Sequence, residues 1–339
     1  MKRLDAYWNS RNPLAWLLLP LALLFGAVAA SRRLLYRLHL LETRRFAVPV
    51  IVVGNLTVGG TGKTPLVIWL AEHLRGKGWR PGIVARGYGG RARHWPQQVR
   101  GDSDPAVVGD EAVLLAQRSG CPVCVAPDRP AAVAALLQHT DCNLVLSDDG
   151  LQHYALGRDI EIVVIDGQRR FGNGFLLPAG PLREPLSRLR RADLVVVNGE
   201  ARDGELAMRM RRPQVVPLRR PQAVDGIDRF DGAQVHAVAG VGNPRRFFDL
   251  LRRHGLQPLE HAFPDHHVFT PGDIRFADGL PVLMTEKDAV KCQRFAGEGY
   301  WAVRVEAQPD ASFVHQLNER LNALTDDLIG DLTSDSPGE

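Results

Sequence analysis

The chain has 339 residues, of which 45% are hydrophobic and 24% are charged. This composition supports a sizeable core and excludes wholesale disorder, collagen and long coiled coils. The length allows about two domains at roughly 150 residues each, and four cysteines are too few for a disulfide scaffold, which favours a reducing compartment. The net charge of +4 is uneven, because residues 1–46 carry +6 and the remainder carries −2. A basic end, rather than a basic body, argues against nucleic-acid binding.

The N-terminal segment is apolar and flanked by basic residues. Residues 13–30 are eighteen consecutive uncharged residues, with Pro20 and Gly26 inside the run. As a helix they would reach about 27 Å, just short of a hydrocarbon core of about 30 Å. A secretory signal peptide, a spanning anchor, a helix embedded at the membrane interface and a pair of core helices are all compatible with this pattern.

The placement of charge favours the interfacial helix. Basic residues lie on both sides of the apolar run, so they indicate no direction of crossing. The sequence SRRLLYRLHLLE follows at residues 31–42 and puts three leucines on one helical face and two arginines on another, as in helices that lie on an anionic bilayer. We therefore predict peripheral or monotopic membrane association for residues 1–45.

A phosphate-binding loop is the most specific local pattern. An apolar, β-branched run at 48–53 predicts a buried strand, and a helical pattern starts near Pro65, a residue suited to a first helical turn. Between them stands TVGGTGKT, a GxxxxGK[ST] loop with Thr57 in place of the leading glycine. The residues predicted to hold a nucleotide are Thr57, Val58, Gly59, Gly60, Thr61, Gly62, Lys63 and Thr64. A glycine-rich turn without a ligand is the alternative.

The chemistry of such a loop explains these residue types. Glycines let backbone N–H groups turn towards phosphate oxygens, and the helix N-terminus adds partial positive charge. Lys63 would reach the β- and γ-phosphates of ATP, and the Thr64 hydroxyl would bind Mg²⁺. In SDDGLQH an apolar strand ends in Asp148 and Asp149, which predicts carboxylates beside the loop for the metal.

Short apolar strands alternate with helical stretches beyond the loop. The predicted strands lie at 82–85, 123–126, 144–147, 160–165 and 194–197, and the predicted helices at 110–118 and 130–138. This alternation predicts an α/β fold of the P-loop NTPase type, with a mostly parallel sheet and helices on both faces. Ligands bind such sheets at the carboxyl ends of the strands, where Arg86, Asp166 and Asn198 also stand. Asp110 and Glu111 open a helix, for which favourable charge at a helix N-terminus is an equal explanation.

A smaller second α/β domain follows a charged, proline-containing stretch. Its pattern is a strand at 235–241, a Gly-Asn-Pro turn with a helix, and a later strand at 281–285. The predicted organisation is a membrane-associated helical segment at 1–45, a P-loop domain at 46–200, a linker at 201–232, the second domain, closing over the active site, at 233–325 and a tail at 326–339.

Adjacent histidines in FPDHHVF are unsuited to joint binding of one metal ion, but a histidine beside an acid can assist a catalytic base.

As a set, these motifs resemble one known family. In chain order they are GNLTVGGTGKTP, ARGYGG, GDEAVLLA, SDDGLQH, LLPAGPLREP, AVAGVGNPRRFF, FPDHHVF and LMTEKDAVK, ending at about residue 291. Together with the N-terminal apolar helix, they are similar to the tetraacyldisaccharide 4′-kinases of lipid A biosynthesis. A threonine at the position of Thr57 is ordinary in that family.

The resemblance implies a membrane-associated P-loop kinase that uses ATP and Mg²⁺. Members transfer the γ-phosphate of ATP to the 4′-hydroxyl of a tetraacylated glucosamine disaccharide 1-phosphate, which gives the 1,4′-bisphosphate, lipid IVA. The reaction takes place at the cytoplasmic face of the inner membrane of Gram-negative bacteria. The implied partners are therefore the acylated disaccharide lipid and the membrane surface, with no nucleic acid and no protein partner.

The resemblance also implies roles for particular residues. Asp110 would be the base on the sugar hydroxyl, with His266 as its partner from the second domain and His267 as the alternative. Lys63 would contact the transferred phosphate. The implied metal-site residues are Thr64, Glu111, Asp148 and Asp149. The residues expected to contact the substrate are Arg86, Tyr88, Arg183, Glu184 and His267.

Two other classes share part of this pattern. A membrane-targeted P-loop ATPase switch of the cell-division or partition type also combines such a loop with a basic amphipathic helix, but it gives no reason for a second domain that carries FPDHHVF. A guanine-nucleotide protein would need an NKxD-type motif. The nearest match, TEKD at 285–288, lacks the asparagine.

Overall fold

A computed structural model of the chain describes residues 7–334, with side chains described as far as residue 325. The described chain begins with two helices, α1 (Pro13–Leu17) and α2 (Leu19–Arg37). Pro20 lies in the first turn of α2, where a proline sacrifices no intrahelical hydrogen bond. Residues 19–30 of the predicted apolar segment and the first part of the predicted amphipathic helix therefore lie in one helix, whereas residues 13–17 form α1.

The first lobe is built around a nine-stranded sheet. Its elements in chain order are β1 (Val50–Gly54), α3 (Lys63–Gly76), β2 (Pro81–Ala85), β3 (Gln97–Val99), α4 (Pro105–Val108), α5 (Asp110–Ser119), β4 (Val123–Val125), α6 (Arg129–His139), β5 (Leu144–Asp148), β6 (Ile160–Asp166), a 3₁₀ helix (Leu186–Arg191), β7 (Leu194–Asn198) and β8 (Leu206–Met210). The predicted strands and helices of this region are therefore present.

The second lobe is built around a six-stranded sheet. Its elements are β9 (Gln214–Pro217), β10 (Asp225–Gly226), a 3₁₀ helix (Ile227–Phe230), β11 (Gln234–Ala239), α7 (Pro244–Arg253), β12 (Gln257–Ala262), α8 (Pro271–Ile274), β13 (Val282–Thr285), α9 (Glu286–Cys292) and β14 (Tyr300–Arg304). The strand order is β10-β9-β14-β13-β11-β12, and the four strands from β14 to β12 are parallel. After β14 the chain returns to the first lobe as β15 (Ala307–Pro309) and α10 (Ala311–Ser334).

The strand order places the phosphate loop at the centre of the first sheet. The order is β15-β8-β7-β6-β1-β5-β2-β4-β3, with antiparallel pairing only at the edge strands β3 and β15. Strands β1, β5 and β6 are buried along their whole length, because α3 and α5 pack on one face and α6 on the other. The predicted α/β class, with helices on both faces of a mostly parallel sheet, is confirmed.

The chain between the lobes differs from the predicted linker. Residues 201–232 contain β8, which joins the first sheet, and β9 and β10, which join the second. Strands β8 and β9 run beside β15 and β14, and the Arg211 amide donates to the Glu306 carbonyl between them at 2.8 Å. The lobes are thus connected by a two-stranded ribbon. Helix α10 continues through residue 334, so residues 326–334 of the predicted tail are helical, and the rest of that tail lies outside the described residues.

The N-terminal helices rest on a loop of the first lobe. Trp8 Nε1 donates to the Pro178 carbonyl at 3.0 Å, and the ring centroid of Trp16 lies 5.3 Å from that of Phe175. In the most apolar 18-residue stretch of α2, only 6% is buried. In the described part of the chain, α2 is the one helix long and apolar enough to cross a bilayer, a test that a signal sequence would also pass.

Candidate active site

The phosphate loop connects the buried strand β1 to α3. Gly62, the last residue before α3, has φ of +96°, and a Cβ at this position would lie 2.5 Å from Asn198 Nδ2. That amide nitrogen donates to the Thr61 carbonyl at 3.0 Å. A glycine is therefore needed here both for its backbone conformation and for the close approach of β7. Gly59 and Gly60 are exposed and leave the middle of the loop open.

Lys63 turns towards the acidic residues at the end of β5. Its Nζ donates to Asn55 Oδ1 at 3.1 Å and lies 3.3 Å from Asp149 Oδ1. Asn55 Nδ2 in turn donates to the Gly59 carbonyl at 3.3 Å. Because β1 and β5 are adjacent and parallel, the ends of both strands meet at one edge of the sheet. The lysine and the acid pair predicted from separate motifs are thus brought together.

Asp148 and Asp149 have opposite electrostatic surroundings. Burial and the nearby Glu111 raise the pKa of Asp148 to about 7. Burial alone would also raise the pKa of Asp149, but Lys63 and Arg183 outweigh it and hold this pKa at about 2. Arg183 Nη1 donates to both carboxylate oxygens of Asp149 at 3.1 Å. Asp149 is therefore neutralised by two cations, whereas Asp148 is short of positive charge.

The residues present fit Mg²⁺ that arrives with a nucleotide. Within residues 7–325, no set of three or more His, Cys, Asp or Glu side chains is arranged to hold a metal ion by itself. Mg²⁺ in kinases usually takes one or two carboxylates together with phosphate oxygens and water. Asp148 Oδ1 is buried and makes no hydrogen bond to the described residues, which leaves an acceptor for a cation. Glu111 is occupied instead, since its Oε1 lies 3.2 Å from Lys287 Nζ.

Asp110 and His266 meet across the two lobes. Asp110 begins α5 of the first lobe, and its Oδ2 lies 3.1 Å from His266 Nδ1. Its Oδ1 accepts from the Glu111 amide at 2.9 Å. Gly109, just before it, has φ of +95°, and a Cβ there would lie 2.6 Å from the Tyr88 carbonyl. The ARGYGG loop after β2 and the start of α5 are therefore closely packed.

His266 rather than His267 faces the first lobe. His266 has φ of +58°, and its ring centroid lies 4.8 Å from that of Tyr88. His267 instead stacks on Phe263 at 4.7 Å and lies 3.4 Å from Asp273 Oδ2, both within the second lobe. The positive φ at the first histidine turns the two adjacent rings apart. This geometry assigns the contact with Asp110 to His266.

Two lysines of α9 add positive charge beside Asp110. Lys291 Nζ lies 3.6 Å from Asp110 Oδ2, and Lys287 Nζ lies 3.6 Å from Asp265 Oδ1 in addition to its pair with Glu111. Burial would raise the pKa of Asp110, but the hydrogen bond with His266 and the charge of Lys287 outweigh it, so this pKa lies below its usual value. The carboxylate is therefore ionised at neutral pH.

The remaining predicted residues divide into two groups. Arg183 belongs to the site through Asp149, and its amide also donates to the Leu56 carbonyl at 2.7 Å, which ties LLPAGPLREP to the phosphate loop. Arg86 follows β2 and is exposed. Glu184 instead joins a buried cluster, where it accepts from the Tyr154 hydroxyl at 2.6 Å and lies 3.4 Å from Arg188 Nε.

Sequence reasoning assigned no role to three residues that the structure places in the site. Asn55 links Lys63 to the loop, and Lys287 and Lys291 face the acids of α5. The two lysines lie four residues apart in TEKDAVK, a spacing that puts both on one helical face. That spacing could have indicated the two lysines from the sequence, whereas no comparable pattern indicated Asn55.

The central position of the loop and the lysine that faces an acid pair define a P-loop kinase. A family profile described as Tetraacyldisaccharide-1-P 4′-kinase matches residues 14–322. A crystal structure of LpxK from Aquifex aeolicus in complex with ATP is 29% identical, with a TM-score of 0.77 over 91% of this chain and 99% of that chain.

Curated relatives agree with the profile. The tetraacyldisaccharide 4′-kinase of Nitrosococcus oceani is 57% identical over 311 residues, or 92% of each chain. That of Alkalilimnicola ehrlichii is 51% identical over 334 residues, or 96% of this chain and 99% of the relative. The chain belongs to the tetraacyldisaccharide 4′-kinase family, the ATP-dependent kinases of lipid A biosynthesis. The alternative of a membrane-targeted ATPase switch is not favoured.

Proposed function

We propose that Asp110 is the base that activates the 4′-hydroxyl of the tetraacyldisaccharide 1-phosphate, and that closure of the lobes brings His266 to it. The observation that carries this proposal is the 3.1 Å contact between Asp110 Oδ2 and His266 Nδ1. The two residues come from opposite lobes and lie 156 positions apart. A catalytic pair divided in this way exists only when the lobes are together, which would couple phosphate transfer to the exclusion of water.

The proposed reaction follows from the charge of these groups. A sugar hydroxyl is a weak nucleophile, so a positioned carboxylate must accept its proton as the new O–P bond forms. Asp110 is ionised, and His266 can orient it or take the proton onward. The bond between the γ-phosphorus and the β–γ bridging oxygen breaks, and ADP leaves. Lys63 would neutralise charge on the transferred phosphate.

The proposed metal site uses Thr64, Asp148, Asp149 and Glu111. When bound together with the nucleotide, Mg²⁺ would neutralise the charge that develops on the phosphate oxygens. Asp148 would supply its unpaired oxygen directly. Glu111 would first have to leave Lys287, and Asp149 would remain paired with Lys63 and Arg183. We therefore propose Asp148 as the principal protein ligand among the four.

Steady-state kinetics test the roles of Asp110 and His266. Asp110→Asn is expected to lower kcat at least ~10²-fold, the scale of a lost general base, while ATP binding measured by calorimetry stays within about twofold. His266→Ala should lower kcat as well, whereas the matched variant His267→Ala should leave kcat near the wild-type value. Near-normal turnover by Asp110→Asn would remove it as the base.

We further propose that the N-terminal helices hold the enzyme at the cytoplasmic face of the inner membrane without crossing it. Trp16, Leu17, Leu23 and Leu24 are between 53% and 75% exposed, and large exposed apolar surfaces mark sites of membrane or protein interaction. A substrate with four acyl chains stays in the bilayer, because each CH₂ removed from it costs about 0.8 kcal/mol. An enzyme that binds at the membrane surface meets this substrate in place.

Charged substitutions test the membrane proposal. Leu23→Asp combined with Leu24→Asp should reduce recovery with anionic liposomes in a flotation assay and lower kcat/KM for the lipid, while ATP binding is unchanged. Val224→Asp, at an exposed apolar position of the second lobe, is the matched control and should do neither. Equal flotation of all three proteins would exclude this role for α2.

A further inference from the structure

A buried carboxylate of the first lobe holds two arginines at the rim of the phosphate loop. Asp166 ends β6, the strand beside β1, and is 3% exposed. Its Oδ1 accepts from the backbone amides of Gln168 and Arg169 at 3.1 and 3.0 Å. Its Oδ2 accepts from the guanidinium groups of Arg169 and Arg246. A single carboxylate therefore binds two guanidinium groups, and its negative charge balances only one of their two positive charges.

Arg169 lies over the open part of the phosphate loop. Its Nη2 donates to the Gly60 carbonyl at 2.5 Å and to Asp166 Oδ2 at 3.1 Å. Its Nη1 lies 3.0 Å from the position that a Cβ of Gly59 would take, and within residues 7–325 it makes no hydrogen bond. A guanidinium has donors in a rigid fork that matches phosphate oxygens. Free donors at a phosphate-binding loop point to a phosphate ligand.

Gly59, which Arg169 approaches, is linked to Lys63 through one side chain. Asn55 joins the two, since its side chain donates to the Gly59 carbonyl and accepts from Lys63 Nζ. The lysine of a phosphate loop reaches the β- and γ-phosphates. Arg169 therefore stands beside the part of the triphosphate whose charge changes during transfer.

Arg246 brings the second lobe into the same cluster. It is the third residue of α7, in the motif GVGNPRRFF, and its Nη1 lies 2.9 Å from Asp166 Oδ2. Helix α7 packs on β11 and β12 of the second lobe, whereas Asp166 and Arg169 belong to the first. The orientation of the Asp166 carboxylate, and with it that of Arg169, thus depends on where the second lobe lies.

We propose that Arg169 binds the β- and γ-phosphates of ATP in the phosphate loop and that Arg246, through Asp166, positions it when the lobes are together. Arg169 is then a catalytic residue, and Arg246 is a positioning residue. The assignment rests on the ATP-dependent activity of the family but not on the role of Asp110. An arginine that only held the loop in its conformation would affect the binding of ATP and of ADP equally. An arginine that binds the γ-phosphate would instead favour ATP over ADP.

Nucleotide binding measured directly tests the role of Arg169. In Arg169→Ala the affinity for a non-hydrolysable ATP analogue, measured by calorimetry in Mg²⁺, is expected to fall at least ~10-fold and the affinity for ADP by less. The kcat should fall ~10²-fold or more, towards the range of lost arginine fingers. Arg169→Lys should restore part of the binding but little of kcat, because an ammonium group lacks the planar fork. Equal loss of ATP and ADP affinity, or unchanged kcat in a folded Arg169→Ala variant, would overturn the assignment.

A double-mutant cycle tests the role of Arg246. Arg246→Ala is expected to lower kcat/KM for ATP about tenfold, within the range of coupling between contacting residues, and to have no further effect in the Arg169→Ala background. Arg245→Ala, at the exposed preceding position, is the matched control and should match the wild type. If Arg246→Ala lowers kcat/KM by the same factor in the Arg169→Ala background as in the wild type, the proposal that Arg246 positions Arg169 through Asp166 is wrong. Asp110→Asn, which should bind the ATP analogue normally, separates this result from failure of the proposed base.

Discussion

Replacing Asp148 with Asn is expected to stabilise the nucleotide-free protein above pH 7 while it abolishes phosphate transfer. Asp148 is 4% exposed at the end of β5, and burial together with Glu111 raises its pKa from 3.8 to about 7. At pH 8 the folded chain therefore holds an ionised carboxylate that the unfolded chain would leave in water. The amide keeps the shape of the side chain and removes that charge.

The expected size of this effect follows from linkage between ionisation and folding. Each pKa unit is worth about 1.4 kcal/mol, so a rise of roughly three units costs the folded state about 4 kcal/mol at pH 8 and less than about 1 kcal/mol at pH 4. Since the folded pKa is the higher one, the cost grows as pH rises between the two pKa values and is constant above both. A buried amide without partners costs about 1–3 kcal/mol at every pH. Asp148→Asn should therefore stabilise by about 1–3 kcal/mol at pH 8 and destabilise at pH 4.

Thermal unfolding in EDTA between pH 4 and pH 8 measures this change of sign. Asp149→Asn is the matched control, because the pKa of Asp149 is held at about 2 by Lys63 and Arg183. Over this pH range Asp149 is ionised when folded, so its replacement should lower the melting temperature at pH 8 rather than raise it. A melting difference between Asp148→Asn and the wild type that does not change with pH would refute the reasoning.

Three further changes test the fold that supports the site. Gly62→Ala should abolish ATP binding in calorimetry, since φ of +96° costs a side chain about 1–2 kcal/mol and its Cβ would meet Asn198; normal affinity would show that the loop has room. Phe313→Ala removes a fully buried ring of α10 from the first-lobe core and should cost about 3–5 kcal/mol in urea unfolding; a loss below ~1 kcal/mol would mean that α10 is not docked. Glu286→Gln removes the carboxylate nearest to Arg118 between the lobes and leaves Glu306, 3.4 Å away, as its charged partner; this change should cost about 1–3 kcal/mol, whereas unchanged stability would contradict a role for this pair in joining the lobes.

The parts of the site that lie close together in sequence were predictable. The strand, glycine turn and helix around Lys63 form one continuous segment, so residue type and spacing were enough to identify the loop. The approach of Lys63 to Asp149 followed from a parallel sheet, in which strand ends share one edge. These predictions needed only local structure and a general property of the fold.

The contact between Asp110 and His266 is different, because no local pattern joins residues 156 positions apart. Only the family resemblance paired them, and it left His267 as an alternative. A single positive φ at His266 settles which ring faces Asp110, and a non-glycine residue in that conformation is not indicated by sequence. The choice between His266 and His267 therefore depended on tertiary packing, which sequence periodicity does not reveal.

The chain between the lobes differs from the predicted linker for a related reason. Residues 201–232 are rich in arginine and proline, a composition typical of connections. Their strands are short and partly exposed. Strands β8 and β9 pair with β15 and β14, which come from the far end of the chain, and β10 pairs with β9. Such short strands carry little hydrophobic pattern of their own, so the identity of the pairing partner was the missing information.

The paired connection between the lobes limits how the enzyme can open. A single strand would let one lobe swivel freely about its bonds, whereas two hydrogen-bonded strands resist twisting and bend chiefly out of their common plane. Closing would then be a hinge movement about one axis, which brings the same groups to the same relative positions in every turnover. The accuracy of phosphate placement would then depend on this two-stranded connection as well as on the residues of the site.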